Sequence, residues 1–471
     1  MKSIIKHKNF NKSALFLLVS LTLQSCFVAH DYVRPEVKEV ETLYRTDNLP
    51  KDSLSIANVS WESLFTDQYL KEYIREGLEN NMDVRIAIQQ MIAAQAYAKQ
   101  GKAGYLPALS VGPNYTRQEF SENSQFGSIF TGGLDTYDIT AALSWEADIW
   151  GKIRSNKRAT QAGYLQSVAG HQAVKTQLIS SIANTYYNLL ALDAQLEVTK
   201  KTIETRESSV KTITSLKDAG QVTQVAVDQN VAQYNSAKAL QIDIETAIFK
   251  TENMLSILLG KPAQSFKRNS LDIQKITQEL KTGMPMSLLN NRPDVMAAEY
   301  NLIKSFELTN VAKSSLYPSL TLTAEGGLQS LELDDLFSVN SLFATLVGGL
   351  TQPLLNKRTL RTQKEVTIAQ QEQALLEFKK TLLIAGNEVS NALFSYKSET
   401  KKIEFRKNEV DALRSAETNS EVLLKNGYAN YLDLLTARES ALSAELNIID
   451  SKLQQLISIV DVYEALGGGW K

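Results

Sequence analysis

The sequence has few of the residues that interrupt helices and few of those that commonly bind metals. Of 471 residues only 9 are proline and 22 are glycine, against roughly 24 and 33 at average usage. Residues 114–261 and 354–471 contain no proline. Because proline breaks a helix interior, both stretches favour long helices. One cysteine and three histidines leave too few of the usual ligands for a zinc or iron–sulfur site.

An excess of charge of either sign is also missing. The 50 Lys and Arg residues nearly balance the 52 Asp and Glu residues, whereas a protein that binds nucleic acid needs a basic face to neutralise phosphates. The sequence contains no glycine-rich phosphate loop and neither an HExxH nor a GxSxG motif. We therefore expect no nucleic-acid partner, no catalytic site, no metal and no cofactor.

The first 25 residues have the pattern of a secretory signal peptide. Four lysines precede the apolar run 14–23, which is too short to span a bilayer. The run leads into Leu23-Gln24-Ser25-Cys26, which resembles a bacterial lipobox and contains the only cysteine. We predict that Cys26 carries acyl chains such as palmitate and anchors an extended segment, 26–60. The alternative is a buried free cysteine in an ordinary secreted protein.

Two halves of the remaining chain follow one plan. Four matches lie in register between them: 80–84 with 291–295, 105–109 with 316–320, Gly220 with Gly427, and 259–260 with 466–467. Matches at a constant offset indicate an internal repeat. We predict two repeats, 61–270 and 271–471, and each contains a helix, a β-hairpin and a pair of long helices.

The long helices are the main predicted feature of each repeat. The first pair is predicted over 153–217 and 222–259, and the second over 359–425 and 431–466. At 1.5 Å per residue the longer helix of each pair is roughly 95 Å long. Their mixed apolar and polar faces are typical of helices that pack side by side with one wet face. A solvent-exposed coiled-coil stalk is the alternative.

Four shorter segments alternate between apolar and polar residues, as β-strands do. They lie in the predicted hairpins 108–148 and 319–353, with loops at 121–136 and 329–340. Strands of about ten residues suit a tilted membrane crossing. Four strands cannot close a barrel, and open edges cannot lie in lipid. The sheet is therefore either soluble or closed between subunits.

Aromatic residues favour the second arrangement. They stand where the predicted strands meet helices: Tyr105, Trp145, Trp150 and Tyr317. Such a set resembles a girdle at a membrane interface. In this arrangement Ile139 and Leu143 face lipid, whereas Thr140 and Ser144 face the lumen.

The segment 144–154, SWEADIWGKIR, resembles the strand-to-helix corner of the TolC-like outer-membrane efflux proteins, especially their lipoprotein branch of the OprM and NodT type. Residues 61–65, 291–295 and 354–358 also resemble this family, and the resemblance extends over 26–471. Within the corner, Asp148 and Arg154 flank Gly151. We expect them to shape the turn, although an ion pair between them is an alternative.

The resemblance implies a mixed, mainly α fold in a homotrimer. Long antiparallel helices would form a periplasmic α-barrel, and four strands per chain would contribute to a twelve-stranded transmembrane β-barrel. The implied function is passive: an exit duct in the outer membrane that receives small molecules from an inner-membrane pump through a periplasmic adaptor. The alternative function is a helical structural or adhesive surface lipoprotein without a pore.

The family resemblance also gives a role to the breaks between the long helices. They would form the periplasmic tip, where the adaptor contacts Gly220, Gln221, Gly427 and Tyr428. Family acids just after these turns line the channel constriction. Asp433 matches the first of them, nearly two turns into its helix, Thr436 replaces the second, and Asp228 is a further candidate. Three copies of Asp433 would attract cations, and a solvated helix face is the alternative.

Overall fold

The computed structural model describes residues 28–36, 56–127, 132–274 and 288–470. The predicted signal peptide and Cys26 lie outside these residues. The helices are α1 (Trp61–Leu64), α2 (Gln68–Asn80), α3 (Met82–Ala103), α4 (Lys152–Asp218), α5 (Gln224–Leu258), α6 (Leu288–Asn291), α7 (Pro293–Ser314), α8 (Thr359–Lys425) and α9 (Tyr431–Ala465). The strands are β1 (Ala108–Gln118), β2 (Leu134–Ala147), β3 (Ser319–Ser330) and β4 (Leu342–Thr351).

The two pairs of long helices have the same lengths. Helices α4 and α8 contain 67 residues each, and α5 and α9 contain 35 each. Their bounds lie within two residues of the prediction. None of the described helices combines the length and the apolar character that a membrane-spanning helix needs.

A glycine ends the first long helix of each pair. Gly220 and Gly427 have φ angles of 72° and 77°, which glycine adopts without steric cost. The next residues close the helix: Gln221 N–H donates to Leu216 C=O at 2.9 Å, and Tyr428 N–H donates to the equivalent Leu423 C=O at 2.9 Å. This hydrogen bond belongs to the Schellman motif, and it turns the chain toward the second helix.

The four strands form one antiparallel sheet in the order β1-β2-β3-β4. The register places Leu143 between Leu109 and Ala324, and Ser144 between Ala108 and Thr323. Because side chains alternate between the two faces, one face collects apolar residues: Leu109, Val111, Ile139, Ala141, Leu143, Leu322, Ala324, Leu342 and Leu346. The other face collects polar ones: Ser110, Asn114, Asp138, Thr140, Ser144, Thr321, Thr323, Glu325 and Thr345.

The hairpin loops are slightly shorter than predicted. β2 already begins at Leu134, because Leu134 pairs with Gln118 at the end of β1. β3 continues to Ser330, because Ser330 pairs with Tyr137 of β2. Each of these pairings joins residues of two different strands. The local sequence pattern alone therefore places the loop borders a few residues away from their observed positions.

Contacts divide the chain into two compact units. The described residues of Met1–Pro35, Ile92–Gln166 and Ala298–Glu377 form the first unit, which contains the sheet. The described residues of Glu36–Met91, Ser167–Ala297 and Phe378–Lys471 form the second unit, which contains the ends of the long helix pairs. Each unit takes segments from both halves of the sequence. The division into repeats at residue 270 stays a prediction.

An equivalent backbone contact in each half explains why Gly260 matches Gly467. In the second unit, a Cβ added to Gly260 would lie 2.6 Å from the carbonyl oxygen of Asn80, and one added to Gly467 would lie 2.5 Å from that of Asn291. Both glycines also have positive φ, 66° and 85°. Each pair of long helices therefore ends with a glycine that lets the chain pass close to an asparagine carbonyl.

The described N-terminal segment, residues 28–36, forms neither a helix nor a strand. Within the first unit, Asp31 pairs with Arg158 of α4 at 2.6 Å. Arg34 donates to both carboxylate oxygens of Glu299 in α7, at 2.5 and 2.7 Å. Because the Glu299 side chain is only 9% exposed, the segment supplies the positive charge for an almost buried carboxylate.

Candidate functional site

The four predicted interface aromatics border one end of the sheet in the first unit. The Nε1–H of Trp145 donates to Tyr105 C=O at 3.0 Å, and that of Trp150 donates to Pro318 C=O at 2.7 Å. The Trp150 ring stacks on Tyr317 with centroids 4.9 Å apart. The structure thus brings the four residues together as two pairs, at the end where β1 and β3 begin and β2 ends.

The corner after β2 is shaped by Asp148. Its carboxylate oxygens accept the backbone N–H groups of Ile153 and Arg154, each at 2.8 Å. An acid in this position satisfies free donors in the first turn of α4 and suits the positive end of the helix dipole. Gly151 has a φ of 77°, so it supplies the turn itself. The expectation that Asp148 shapes this turn is confirmed.

The helix pairs α4–α5 and α8–α9 form two long helical hairpins. At the end of the second unit a small apolar cluster joins these two hairpins. Ile213, Val227 and Tyr431 are buried there, one or more from each hairpin. The Tyr431 hydroxyl donates to Asn230 Oδ1, and Asn230 Nδ2 in turn donates to Ala226 C=O at 2.7 Å. This cluster, which we call the tip cluster, fixes α9 against α4 and α5.

Arg206 of α4 forms a second connection between the hairpins. Its Nη1 donates to the carbonyl and the side-chain oxygen of Gln233 in α5, at 2.6 and 2.7 Å. Its Nη2 donates to Glu439 of α9 at 2.6 Å. The Arg206 side chain is 9% exposed, whereas that of Glu439 is 54% exposed. The buried guanidinium is therefore paired with a carboxylate that water still reaches.

Arg438 of α9 forms a third connection. It donates to Ser209 Oγ of α4 and to Glu421 of α8 at 3.2 Å. Lys425, hydrogen-bonded to Glu421, and then Arg438 hold the pKa of that carboxyl below its ordinary value. Glu421 is thus kept charged, and the ion pairs with Arg438 and Lys425 persist in mildly acidic solution.

Asp433 lies in the first turn of α9, so the expectation of nearly two turns into the helix is wrong. The reason is a capping box: Asp433 N–H donates to Asn430 Oδ1 at 3.0 Å, and Asn430 N–H donates to Asp433 Oδ2 at 3.3 Å. This reciprocal pair starts the helix at Tyr431. The Asp433 side chain is otherwise exposed, as is Thr436.

Asp228 lies in the second turn of α5, where it accepts a hydrogen bond from Gln224 Nε2 at 2.8 Å. Its side chain is also exposed. The contacts of Asp228 and Asp433 are thus local to their own helices. The structure places both acids near the hairpin ends, and their role in a constriction stays a prediction.

The predicted adaptor-contacting residues lie on open surface. Gly220, Gln221, Gly427 and Tyr428 are all exposed, and Tyr428 is 83% exposed. Among the described residues, no atom beyond each glycine's immediate chain neighbours lies within 4 Å of a Cβ placed on Gly220 or Gly427. A partner can therefore approach both turns without displacing part of the chain.

Sequence reasoning missed Arg206, Arg438 and Glu439. Each is a charged residue in a long helix, and such residues usually face water. Their partners are far away in sequence: 233 residues separate Arg206 from Glu439, and 229 separate Ser209 from Arg438. No local pattern carries a contact of this kind, so only the packing of the two hairpins reveals it.

Known proteins are similar to this chain over nearly its whole length. The family model described as "Outer membrane efflux protein" matches residues 73–261 and 284–468. The chain is 27% identical over 465 residues to the probable efflux pump outer membrane protein SepC of Pseudomonas putida, covering 97% of this chain and 96% of that protein. It is 25% identical over 459 residues to the cation efflux system protein CusC of Escherichia coli, covering 96% and 98%.

Solved structures of channels superpose closely. The outer-membrane channel OprN matches with a TM-score of 0.87 at 22% identity, covering 94% of this chain and 100% of that one. The open state of the MtrE outer membrane channel of Neisseria gonorrhoeae matches with a TM-score of 0.83 at 25% identity, covering 94% and 98%.

Proposed function

This chain belongs to the outer membrane efflux protein family and is an exit duct in the outer membrane, and from this premise we propose that it works as a homotrimer in a tripartite efflux system. Its fold, long antiparallel helices with a large periplasmic part and four strands, is that of the outer-membrane channels. In our proposal an inner-membrane pump delivers small molecules through a periplasmic adaptor, and they leave passively through the duct.

The pairing of the sheet is the observation that supports the trimer. Within the described residues, β1 and β4 each pair on one side only. A backbone edge left open in lipid costs several kcal/mol per unpaired group, so a membrane sheet must close on itself. Three copies, with β1 of one next to β4 of another, give a closed barrel of twelve strands. The apolar face would then meet lipid, and the polar face would line the lumen.

The aromatic pairs at one end of the sheet support the same orientation. Trp and Tyr favour the membrane interface, where the ring is buried and the polar atom stays wet. At the same end of the sheet, the strands connect to α3, α4, α7 and α8. We therefore place Tyr105, Trp145, Trp150 and Tyr317 at the periplasmic interface, with the acyl chains of Cys26 in the same leaflet.

We propose that the hairpin ends of the second unit form the periplasmic tip. Asp433 and the weaker candidate Asp228 would line the constriction, and the exposed turns at Gly220, Gln221, Gly427 and Tyr428 would receive the adaptor. Relatives are named for efflux of toluene, antibiotics and cations. We infer a duct without a catalytic step, in which the pump selects the cargo.

A planar lipid bilayer tests the function directly. The purified protein is expected to form ion-conducting pores, and chemical cross-linking in detergent is expected to give a trimer. A structural or adhesive lipoprotein would give no conductance and would be released from membranes when its acyl chains are removed. That pair of results would reject the duct.

Cys26→Ser is expected to remove the acyl chains and reduce delivery to the outer membrane. The trimer should persist in detergent, because the sheet supplies most of the apolar contact with lipid while acyl chains add about 0.8 kcal/mol per buried methylene. Intact mass spectrometry of the mature protein checks the modification, and cross-linking checks the trimer. An unmodified Cys26 in the wild-type protein would end the lipoprotein assignment.

Asp433→Asn is expected to lower the cation selectivity of the pore. The asparagine removes the charge and can still accept the capping hydrogen bond from Asn430, so α9 should begin as before. Reversal potentials in a salt gradient measure the selectivity. The effect should shrink at about 1 M salt, where the screening length is about 3 Å.

Two comparison variants define the site of this effect. Asp228→Asn should change selectivity less, because Asp228 lies farther from its hairpin end. Tyr428→Ala should weaken adaptor binding and leave conductance unaltered. If Asp433→Asn keeps wild-type selectivity, Asp433 is a solvated residue and the constriction must be sought elsewhere.

A further inference from the structure

Each half of the chain has a helix-to-strand junction before its β-hairpin and a strand-to-helix corner after it. The first junction, residues 103–107, leads from α3 into β1, and the second junction, residues 314–318, leads from α7 into β3. The first corner, residues 148–151, joins β2 to α4, and the second corner, residues 352–358, joins β4 to α8. All four lie in the first unit, so their contacts can be compared.

The first corner packs on the second junction. The Trp150 ring stacks on Tyr317, and its Nε1–H donates to Pro318 C=O at 2.7 Å. In return, Ser314 Oγ donates to Trp150 C=O at 2.9 Å. These contacts join the end of β2 to the beginning of β3, its neighbour in the sheet. A corner in this protein thus packs on the junction of the next strand in the sheet.

The internal repeat assigns the equivalent contact to the second corner and the first junction. Leu106 lies 211 residues before Tyr317. Gly151 and Arg358 are 207 residues apart, and each directly precedes a helix of 67 residues. Both also have positive φ, 77° and 65°. By this equivalence the second corner should pack near Leu106.

The second corner cannot reach Leu106 of its own chain. The corner follows β4 and the junction precedes β1, and these strands are the two edges of the sheet. Two strands lie between them, so β1 and β4 are about 14 Å apart. The leucines on both sides are exposed instead: Leu354 by 88%, Leu355 by 98% and Leu106 by 69%. Exposed apolar side chains at the two edges suit contact with another copy.

The backbone of the second corner has an unfavourable conformation. Lys357 and Arg358 have φ angles of 55° and 65°, which residues with a Cβ rarely adopt. Across the part of the chain that the structure describes, positive φ outside glycine occurs at these two residues. Arg358 donates to both carboxylate oxygens of Glu365, at 2.9 and 3.0 Å, which holds one side of the corner. Such a conformation persists where its surroundings fix it, and packing of the leucines would fix the other side.

We propose that the second corner is a docking surface for another copy of this chain, with Leu354 and Leu355 packed on Leu106 of the next copy. Each place where β4 of one copy meets β1 of the next, which we call a seam, then buries leucines that a single copy exposes to water. Removal of apolar surface from water stabilises the assembly. The proposal rests on the trimer proposed above and adds the side chains that join its copies.

The repeat also gives the register across each seam. Ser144 of β2 pairs with Thr323 of β3. Moved by the repeat offsets, 207 residues forward for β2 and 211 back for β3, this pair becomes Thr351 of one copy and Gly112 of the next. Among the described residues, no atom beyond the chain neighbours of Gly112 lies within 4 Å of a Cβ placed on it. A side chain therefore fits at Gly112, and the register can be tested with a disulfide.

Gly112→Cys combined with Thr351→Cys is expected to give a covalent trimer when the full-length protein is oxidised in detergent. The Cα atoms of paired residues on antiparallel strands are about 4.5–5.5 Å apart, within the roughly 4.4–6.8 Å of a disulfide. Gly112→Cys with Leu350→Cys is the matched control, because Leu350 is the next residue and lies on the opposite face. Each single variant checks for links through Cys26. Denaturing electrophoresis without reductant measures the covalent species.

Leu355→Glu should weaken the trimer, because it places a charge in an apolar contact. We expect the concentration at which the trimer dissociates in detergent, measured by analytical ultracentrifugation, to rise about tenfold or more. Leu106→Arg should act in the same direction, and the two changes together should restore most of the loss because the charges attract. Leu333→Glu is the matched control: Leu333 is 57% exposed in the loop at the opposite end of the sheet, and dissociation should stay at the wild-type level.

Three results would overturn the proposal, and they differ in what they imply for the duct. A trimer in amine cross-linking without a disulfide between positions 112 and 351 would reject the register and leave the duct standing. An unaltered trimer but weaker binding to phospholipid vesicles in Leu355→Glu would place the leucines in lipid. No trimer in any assay, together with no conductance, would reject the proposed function as well as the seam contact.

Discussion

Ile139→Arg is expected to deplete the trimer from the outer membrane, whereas Thr140→Arg is expected to be tolerated. Ile139 lies six residues before Trp145, about 20 Å along β2 at 3.3 Å per residue. With a strand tilt of about 40°, this places it roughly 15 Å from the aromatic interface and near the middle of the apolar band, which is about 25 Å tall. An arginine that faces lipid at this depth costs about 2–4 kcal/mol in each chain.

Thr140 is the matched control because it is the next residue on the opposite face. It lies between Gly112 of β1 and Gly327 of β3, so a longer side chain finds space there. Its hydroxyl donates to Asp138 at 3.1 Å, and that carboxylate can pair with an introduced arginine. Both variants add the same charge to the same strand, so only the face differs.

Leu143→Arg should give an intermediate result. Leu143 shares the apolar face with Ile139 but lies two residues from Trp145, where the cost of an arginine falls toward about 0–1 kcal/mol. Immunoblots of heat-labile trimers from outer-membrane fractions measure the three levels. Equal levels for Ile139→Arg and Thr140→Arg would favour a soluble sheet and contradict the membrane assignment.

The sequence contained enough information for the long helices and for the two faces of the sheet. The helices follow from stretches without proline that end at Gly220 and Gly427, because a single residue type decides each end locally. The faces follow from the period of two, which the register between Leu143 and Ala324 confirms. Both features depend on residues close together in the chain.

Features that depend on packing between distant segments were not predictable in the same way. The position of Asp433 is a local matter by contrast: its capping box with Asn430 starts α9 at Tyr431, so Asp433 lies in the first turn and not deeper in the helix. The connection at Arg206 needs residues from three helices. Neither the hydrophobic periodicity nor a short motif indicates which charged residues of the long helices contact each other.

Arg206→Leu should open the connection between the two hairpins. The substitution removes three hydrogen bonds, two to Gln233 and one to Glu439. Hydrogen bonds to a charged group contribute about 1.5–3 kcal/mol each when they are buried. Because the Glu439 side chain is 54% exposed and the leucine still fills apolar space, we expect a net loss of only about 1.5 kcal/mol.

A loss of this size raises the open population about tenfold, so amide hydrogens at the ends of α4, α5 and α9 should exchange about ten times faster. If these hairpin ends form the constriction, single-channel openings should also become more frequent. Lys211→Leu is the matched control on α4. Lys211 pairs with Glu207 at 2.8 Å, but its side chain is 73% exposed, and such surface pairs contribute little.

The Glu439→Gln variant separates charge from geometry at this connection. The amide oxygen can still accept from Arg206 Nη2, so the hydrogen bond remains while the ion pair is lost. We expect an increase in exchange smaller than that of Arg206→Leu, and the double variant should equal Arg206→Leu alone because both changes act on one contact. If amide hydrogens at these helix ends exchange equally fast in Arg206→Leu and in Lys211→Leu, Arg206 does not hold the hairpins together. The tip cluster around Tyr431 would then be sufficient by itself.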